Sequence, residues 1–576
     1  MTTTTNNSTF PAPNPGVARV ADVLARMLED LGVQHVFGII GGACAPLADA
    51  FGKSNLRFLH TRHEGGAAFA AAEASLATGL PTVVLTTTGP GMLNALNGLA
   101  AARWDGAKVA CFSAVTAAAH QGRWPVQETS VLTIPHDAFF AKGPFFDHGA
   151  LLRDSVDLVD LRRRLELGFA RPQGFVAQVG VSTALQSQPY SGPLPQYSLG
   201  LARQSVSKEH LEAVASILDD GPLCIWVGYG ARAASRSIRA LAERTGAMVL
   251  CTPRAKGVFP EEHPLFAGVT GAGGHDAAAR AIEQLRPRHT LVLGTRLGEA
   301  STFWDNRLVP DDGFVHVDVD AAVFGASYPE ARTIGVEAEI GAFVDALLPL
   351  VPMKSPELWP TVPCPFPEPL EPRAGLPVRA SVLMDALQRV VVDGSDAVVM
   401  TESGNAFGFG NHHLRFSDPG RYRSSAAWGS MGHMVCGVVG VAVATGKRAV
   451  AVVGDGAMLM NNEINTAVDA HARAIWVVLN DAGFGIVRDG MTLSRLTPFA
   501  SRIPRVDFVA FARSMGADGV RVDDEEALPA ALEQALQADG PFVVDVIMDE
   551  TCISPAIAGR VASLEAQYRN RRRSER

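Results

Sequence analysis

The sequence predicts an α/β protein with three doubly wound parallel sheets, one in each of three domains. Short apolar runs of strand length alternate with stretches of helical periodicity along most of the chain. Many of these runs end in Gly or Asp, which is typical of strands that lead into a turn and a helix. Two Pro-rich segments divide the pattern into three blocks, so we expect separate sheets with ligands at their strand ends.

The three blocks and the segments between them have predictable bounds. The linkers, which include QSQPYSGPLPQY and PCPFPEPLEP, are too rich in Pro to form a regular strand ladder. The last segment is helical and charged, and we interpret it as a lid or a packing helix. The predicted segments are a disordered N-terminus (1–16), a first α/β domain (17–185), a linker (186–206), a central Rossmann-like domain (207–350), a second linker (351–377), a third α/β domain (378–553) and a C-terminal helical tail (554–576).

The composition indicates a globular enzyme and argues against several other classes. Of the 576 residues, 47% are apolar and 19% are charged, and the net charge is −9, so nucleic acid is not an expected partner. The one basic cluster, Arg571 to Arg573, is interpreted as a solvated helix end. The seven Cys form no CxxC pair, which favours a reducing compartment over a disulfide or zinc framework. No run is long and apolar enough for a membrane span, and no signal peptide is visible, so we expect a cytoplasmic protein.

One stretch of the third domain, Ala449 to Arg488, carries the strongest chemical signal. Two apolar runs, 449–453 and 475–479, read as strands with a helix-compatible segment between them. Asp455 follows the first run inside Gly-Asp-Gly, and Asn480-Asp481 follows the second. In a parallel sheet both ends open on the same edge, so Asp455 and Asp481 can converge although 26 positions separate them. Two oxygen donors beside a glycine-bearing turn suit a magnesium-bound phosphate, whereas the plainer alternative is a βαβ unit with acidic turns.

This stretch resembles the thiamine diphosphate motif, in which GDG is followed by a helix, a strand and an Asn pair. Two further landmarks, RHEGGAAFAAA in the first domain and TTTGPGMLN downstream of it, are similar to segments of acetohydroxyacid synthases and pyruvate oxidases. The chain is thus identified as a member of the thiamine diphosphate-dependent enzymes, in the group of those two families, with some similarity to acyloin-forming relatives. The resemblance implies a pyrimidine-binding first domain and a diphosphate-binding third domain.

The resemblance also implies how the cofactors are held. Mg²⁺ would be bound by Asp455, Asp481 and the carbonyl of Gly483, although Asp481 stands where the family has a second Asn. Met431 matches the apolar residue that keeps thiamine diphosphate bent, which brings its reacting groups together. Asn405 replaces a Gln of the family, which shortens its reach. The remaining cofactor-binding positions implied are Pro90, Asn94, Gly404, Gly429, Ser430, Gly456, Ala457 and Phe484.

Two residues are implied to act in catalysis. Glu64 would hydrogen-bond a ring nitrogen of the aminopyrimidine, which helps the cofactor's own amine remove a proton from the thiazolium carbon. Gln127, in VQE, would lie near the reacting carbon. The alternative for Glu64 is a helix N-terminal carboxylate that the helix dipole stabilises.

Five further positions are candidates for the substrate pocket. Gly490 stands where the synthases carry a Trp that shapes the acceptor site, so we expect open space and a bulkier or different acceptor. Lys142 matches a Lys near the substrate entrance of the synthases, or is simply a solvated lysine. The other three candidates are Gly41, His120 and Gln121.

The central domain bears on whether FAD is bound. Gly228-Tyr229-Gly230 follows a strand, and Arg296 matches one Arg of the flavin segment of the synthases. The acidic pair and second Arg that follow in those enzymes are absent, and a dinucleotide needs several such contacts together. We therefore expect that FAD is not bound.

The reaction implied is that of a carboligase. It would decarboxylate a 2-oxo acid and add the resulting enamine to a second carbonyl compound, forming an acyloin or acetohydroxy acid. The alternatives are a 2-oxo acid decarboxylase, a C–C lyase, or a cofactor-binding relative without catalysis. The family pattern implies a homodimer or homotetramer in which Glu64 of one subunit meets Asp455 of another.

Overall fold

The computed structural model describes residues 18–190, 192–193, 206–425 and 427–574 of the chain, and side chains up to 566 in the last helix. The predicted disordered N-terminus (1–16), most of the first linker and the basic side chains of Arg571 to Arg573 lie outside this description. The chain divides into two compact units, Met1–Gly200 and Leu201–Arg576. Along the part that is described, no helix combines the length and the apolar character that crossing a membrane requires.

The first unit contains one six-stranded parallel sheet with helices between the strands. The strand order is β2-β1-β3-β4-β6-β5. The strands are β1 His35–Gly38, β2 Arg57–His60, β3 Thr82–Thr86, β4 Lys108–Val115, β5 His148–Leu152 and β6 Phe175–Ser182. The helices are α1 Val20–Asp30, α2 Ala45–Gly52, α3 Glu64–Thr78, α4 Pro90–Asp105, α5 His136–Phe139 and α6 Asp157–Phe169.

The second unit begins with another six-stranded parallel sheet, of order β12-β11-β10-β7-β8-β9. This is the strand order of a doubly wound dinucleotide fold. The strands are β7 Leu223–Val227, β8 Met248–Cys251, β9 Phe266–Val269, β10 His289–Leu293, β11 Phe314–Asp318 and β12 Thr333–Glu337. The helices are α7 Lys208–Leu218, α8 Ser235–Thr245, α9 Asp276–Leu285, α10 Glu299–Thr302 and α11 Ile340–Leu347.

A third parallel sheet completes the second unit, in the order β14-β13-β15-β16-β18-β17. The strands are β13 Val398–Thr401, β14 Tyr422–Ser424, β15 Ala449–Gly454, β16 Ala474–Asn480, β17 Asp518–Val522 and β18 Phe542–Ile547. The helices are α12 Ala380–Leu387, α13 Asn405–His413, α14 His433–Thr445, α15 Asp455–Met458, α16 Ile464–Asp469, α17 Gly485–Leu493, α18 Phe508–Ser514, α19 Leu528–Gln537 and α20 Pro555–Ser574.

The central strands are mostly apolar because both faces of each sheet are buried there, whereas edge strands such as β2, β12 and β17 also have exposed positions. In β7, for example, Leu223, Ile225 and Val227 join one hydrophobic cluster, whereas Cys224 and Trp226 join a second cluster on the opposite face. Side chains alternate between the two faces of a strand, so a strand covered by helices on both sides needs apolar residues at every position. This burial explains why the apolar runs predicted the strands well.

The three sheets confirm the predicted fold class. The first and third sheets also share one strand order, with a switch between their first and third strands. At such a switch point the loops diverge to opposite faces and leave a crevice at the carboxyl edge of the sheet. In the third sheet the strands that flank the switch are β13 and β15, which lead into Glu402 and Asp455. The domain and linker bounds given above remain predictions.

Candidate active site

Asp455 and Asp481 are brought together at the carboxyl edge of the third sheet. β15 and β16 are neighbours in parallel register, with Gly454 opposite Leu479, so the residues that follow the two strands lie side by side. Asp455 is the first residue of α15 and Asp481 follows β16 directly. The helix-compatible segment between the two strands forms two short helices, α15 and α16.

The carboxylate of Asp455 is buried, with 1% of the residue exposed. Its oxygens accept hydrogen bonds from two backbone N–H groups, Gly456 at 2.7 Å and Gly483 at 3.1 Å. Burial, followed by the charge of Asp481, raises the pKa of Asp455 to about 6. Because burial disfavours the negative charge of Asp455, a cation bound beside this carboxylate would stabilise its charged form.

The side chains of Asp481 and Asn405 both lie beside Gly485. A methyl group placed on Gly485 would come within 2.5 Å of Oδ2 of Asp481 and 2.7 Å of Nδ2 of Asn405, so only Gly leaves room for both side chains. Burial raises the pKa of Asp481, and the guanidinium of Arg488 opposes that rise. Oδ1 of Asn405 is buried and has no hydrogen-bond partner among the described residues. A buried acceptor atom without a partner needs a hydrogen bond from a ligand or an ordered water.

A second close approach surrounds Gly456. A Cβ on Gly456 would lie 2.6 Å from the ring of Phe484 and 3.5 Å from Cε of Met431, so the three predicted cofactor-binding residues share one small space. Ala457 is buried in the next position of α15. Gly404 precedes α13 with a φ of 112°, a conformation that a side chain would strain.

Gly429 and Ser430 come just before Met431 on the loop into α14. The carbonyl of Gly429 accepts a hydrogen bond of 3.2 Å from the hydroxyl of Ser403. That contact joins this loop to the turn that carries Gly404 and Asn405. The structure therefore gathers at one sheet edge all the cofactor-binding residues predicted for the third domain.

Sequence reasoning missed Glu402, a fully buried carboxylate at the end of β13. It accepts hydrogen bonds from the backbone N–H groups of Met434 at 2.8 Å and Val435 at 3.2 Å, in the first turn of α14. Burial raises its pKa to about 7. Glu402 fixes the start of α14 relative to the Gly404 turn, and its place directly after a strand was the signal that could have revealed it.

Gly490 does not leave open space, contrary to our expectation. A methyl group on Gly490 would lie 3.0 Å from Cδ1 and 3.2 Å from Cγ1 of Ile557. Ile557 belongs to α20, and the absence of a side chain at Gly490 lets this helix pack closely on α17. The space beside Gly490 is thus occupied by an aliphatic residue from the C-terminal helix, which the motif comparison did not indicate.

In the first unit, Glu64 is the first residue of α3 and is 7% exposed. Nδ2 of Asn94, in α4, donates a 3.0 Å hydrogen bond to Oε2 of Glu64. A Cβ on Gly91 would lie 2.9 Å from Oε1, so the PGMLN turn packs directly against this carboxylate. Two residues predicted from different motifs, Glu64 and Asn94, are therefore in contact.

Gln127 lies against the loop that leads from β3 into α4. Its Oε1 accepts a hydrogen bond of 3.2 Å from the hydroxyl of Thr88, two residues before Pro90. Its backbone has a φ of 56°, which is unusual for a residue with a side chain and often accompanies function. Gly41 packs against the same loop, because a Cβ there would lie 2.5 Å from Oγ1 of Thr87.

The other pocket candidates of the first unit are less closely tied to this loop. His120 is exposed, and Gln121 donates through Nε2 to the carbonyl of Thr116 at 3.0 Å. Lys142 is exposed in the segment between α5 and β5, and β5 is an edge strand. The structure therefore does not bring Lys142 into contact with Glu64 or Gln127.

In the central domain, Tyr229 is surrounded by arginines. Its hydroxyl accepts a 2.7 Å hydrogen bond from Arg423, and the guanidinium carbons of Arg232 and Arg254 lie 4.3 and 4.5 Å from the centre of its ring. Burial would raise the pKa of Tyr229, but the three positive charges together lower it. The GYG segment is thus occupied by a packed cation–π cluster.

Comparison with known proteins agrees with this arrangement. Three family models match: the N-terminal thiamine pyrophosphate-binding domain over residues 18–134, the central domain of the same enzymes over 212–347 and their C-terminal binding domain over 402–546. Together they cover well over half of the chain. The chain belongs to the thiamine pyrophosphate enzyme family.

Relatives in this family cover nearly the whole length of the chain. The large subunit of acetolactate synthase isozyme 1 of Escherichia coli is 25% identical, over 95% of this chain and 97% of its own. Acetolactate synthase of Mycobacterium bovis is 27% identical, over 95% and 91%. A solved structure from Mycobacterium smegmatis, described as a putative thiamin diphosphate-dependent enzyme, has a TM-score of 0.79 at 20% identity and covers 92% of this chain and 99% of its own. The fold is therefore shared, and this chain resembles acetolactate synthases over nearly its whole length.

The residues of the third sheet fit a magnesium-bound diphosphate. Asp455 and Asp481 supply hard oxygen ligands, and the orphaned Oδ1 of Asn405 points to a missing partner. Gly456 and Gly485 keep side chains out of the space between these groups. In the first unit, Glu64 offers a buried carboxylate for the pyrimidine of the cofactor of this family.

Proposed function

We propose that this enzyme is a thiamine diphosphate- and Mg²⁺-dependent carboligase that decarboxylates a 2-oxo acid and joins the product to a second carbonyl compound. The observation that carries the proposal is the pair of acidic groups at the ends of β15 and β16, together with the cleared space around Gly456 and Gly485. When bound, thiamine diphosphate supplies the electron sink for decarboxylation.

The residues of this chain have distinct roles in the proposal. Asp455, Asp481 and the backbone of Gly483 hold the metal, and Met431 and Phe484 bound the space beside Gly456. Oε2 of Glu64, fixed by Asn94, holds a proton at the pyrimidine. Gln127 lies against the loop between β3 and α4 and contacts the substrate. The remaining predicted positions, Pro90, Gly404, Gly429, Ser430 and Ala457, shape the backbone around the cofactor.

Acceptor selection rests on Ile557 as well as on Gly490. The aliphatic side chain of Ile557 replaces a large aromatic wall, so the pocket on this side has a different shape from that of the acetolactate synthases. We expect an acceptor other than 2-oxobutyrate. FAD is not expected, because the arginine–tyrosine cluster occupies the GYG turn.

Product analysis tests the reaction. Purified protein with thiamine diphosphate and Mg²⁺ is incubated with pyruvate, and then with aromatic 2-oxo acids, each with and without an added aldehyde. A carboligase gives a ligated product by mass spectrometry, whereas free aldehyde alone would favour the decarboxylase. Cleavage of an added acyloin would favour the lyase. Glu64→Gln is the control, and loss of decarboxylation there rules out a background reaction. No turnover of any oxo acid, despite bound cofactor, would identify a non-catalytic relative.

We also propose that the active sites form between subunits of a homodimer or homotetramer. The loop between β4 and α5 leaves Trp124 and Val126 each 92% exposed, which is unusual for large apolar residues and suits burial in an interface. Mixing inactive Glu64→Gln and Asp455→Asn chains tests this, because hybrid dimers regain one intact site. About a quarter of the wild-type activity should return after subunit exchange. If each chain supplies a complete site, the mixture stays inactive.

A further inference from the structure

We propose that Arg488 is a positioning residue that compensates the charge of Asp481, so that a carboxylate can serve where the family has a neutral Asn. This inference rests on the proposed metal and diphosphate site. It assigns Asp481 and Arg488 a joint role, in which a guanidinium shared with the buried carboxylate of Asp489 offsets the charge of Asp481.

The contact between the two side chains is direct. Nη2 of Arg488 lies 3.2 Å from Oδ2 of Asp481, and the side chains are 13% and 15% exposed. At this burial, an ion pair is screened much less than it would be on the surface. Oδ2 is engaged by the guanidinium, so Oδ1 is the oxygen that Asp481 can turn to a metal.

Arg488 is itself held from the other side. Its Nε donates to Oδ1 of Asp489 at 3.0 Å, and its Nη2 donates to the carbonyl of Glu550 at 3.1 Å. The carboxylate of Glu550 lies farther away, 3.9 Å from Nη1. These contacts fix the guanidinium beside Asp481 on a rigid turn of α17, so the compensating charge does not depend on a mobile side chain.

The need for compensation follows from the charges at the site. Asp455 and Asp481 face each other and would also face a diphosphate, which adds further negative charge. A bare second carboxylate attracts a metal ion more strongly than Asn does, but it repels the diphosphate. A fixed guanidinium offsets both effects. Loss of Arg488 should therefore change the affinity for metal and the affinity for diphosphate in opposite directions.

Four variants test the inference through binding rather than turnover. Arg488→Met should bind Mn²⁺ alone more tightly, by about threefold or more, and should bind inorganic pyrophosphate at saturating Mn²⁺ about tenfold more weakly. Asp481→Asn should shift both affinities the other way. The double variant Asp481→Asn/Arg488→Met restores the net charge and should return both affinities to within about threefold of wild type. Arg488→Lys, which keeps the charge, should also stay close to wild type.

Arg502→Met is the matched control, because Arg502 pairs with Glu550 at 2.9 Å but is 67% exposed and does not contact Asp481. Mn²⁺ binding is followed by electron paramagnetic resonance and pyrophosphate binding by calorimetry. If Arg488 only supports the local structure, Arg488→Met lowers the affinity for both Mn²⁺ and pyrophosphate, and the double variant does not recover either affinity. That result, or unchanged affinities in Arg488→Met, overturns the inference. If the reciprocal shifts occur in a protein that turns over no oxo acid, the proposed function fails and the inference stands.

Discussion

Replacing Gly485 by Ala should damage the metal site while leaving the fold intact. The added methyl group would lie 2.5 Å from Oδ2 of Asp481, so the carboxylate must move by roughly 0.9 Å to reach an ordinary contact of 3.4 Å, and its Oδ1, the proposed metal ligand, moves with it. Metal ligands tolerate errors of only about 0.2 Å. We expect Mn²⁺ affinity to fall by about 10- to 100-fold, the range seen when the support that orients a metal ligand is disturbed.

The stability of this variant should change little. The atoms that must give way are the far ends of two flexible side chains, Asp481 and Asn405, and Ala at the start of α17 costs less backbone entropy than Gly. Mn²⁺ titration and thermal melting are measured on the same preparations. Gly454→Ala is the control, since its methyl group meets nothing within 4 Å. Equal Mn²⁺ affinity for Gly485→Ala and Gly454→Ala would refute the reasoning.

Three other predictions concern charged groups. Lys256→Met should lower the free energy of unfolding by about 3–5 kcal/mol, as measured by denaturant unfolding. The reason is that Nζ of Lys256 lies 2.8 Å from Oε2 of Glu261, and its loss leaves this buried carboxylate without its charged partner. Asn94→Ala should lower kcat with little change in KM, because Glu64 loses its 3.0 Å hydrogen bond, and steady-state kinetics measures it. The pKa of Asp455 is raised from 3.8 to about 6, so the folded protein binds a proton more readily than the unfolded chain. The metal-free protein should therefore gain stability as pH falls through about 6, and Mn²⁺ affinity should fall over the same range.

Two of these predictions have a matched control, and the third has an outcome that would contradict it. Lys208→Met breaks a surface pair with Glu212, with 82% of the lysine side chain exposed, and should cost less than about 1 kcal/mol. A comparable loss in both lysine variants would contradict the role of burial. Asp455→Asn should remove the pH dependence of stability near pH 6, and its persistence would assign that titration to another group. For Asn94→Ala, unchanged kcat would show that Glu64 does not need the hydrogen bond.

The fold and the third-sheet site could be predicted because their signals are local. Strands buried on both faces read as continuous apolar runs, and the residues after β15 and β16 had to share one edge once the sheet was parallel. The contact between Glu64 and Asn94 agrees with two motifs that are 30 positions apart. In these cases the chemistry lies within a few residues of a strand end.

The contacts that could not be predicted join segments that are distant in sequence. Ile557 fills the space beside Gly490 because α20 packs on α17, and no pattern near Gly490 indicates that helix. Glu402 gains its role from the first turn of α14, more than thirty positions away.

By itself, the sequence determined three parallel sheets, two acidic strand ends and a thiamine diphosphate-type motif. Only the tertiary structure decided how the irregularities of that motif are accommodated. Arg488 pairs with Asp481 and offsets its charge, and Ile557 packs against Gly490. The physical reason is that periodicity and motifs report what a residue needs locally, such as burial, a turn or a ligand charge. Which neighbour satisfies that need depends on how the helices pack.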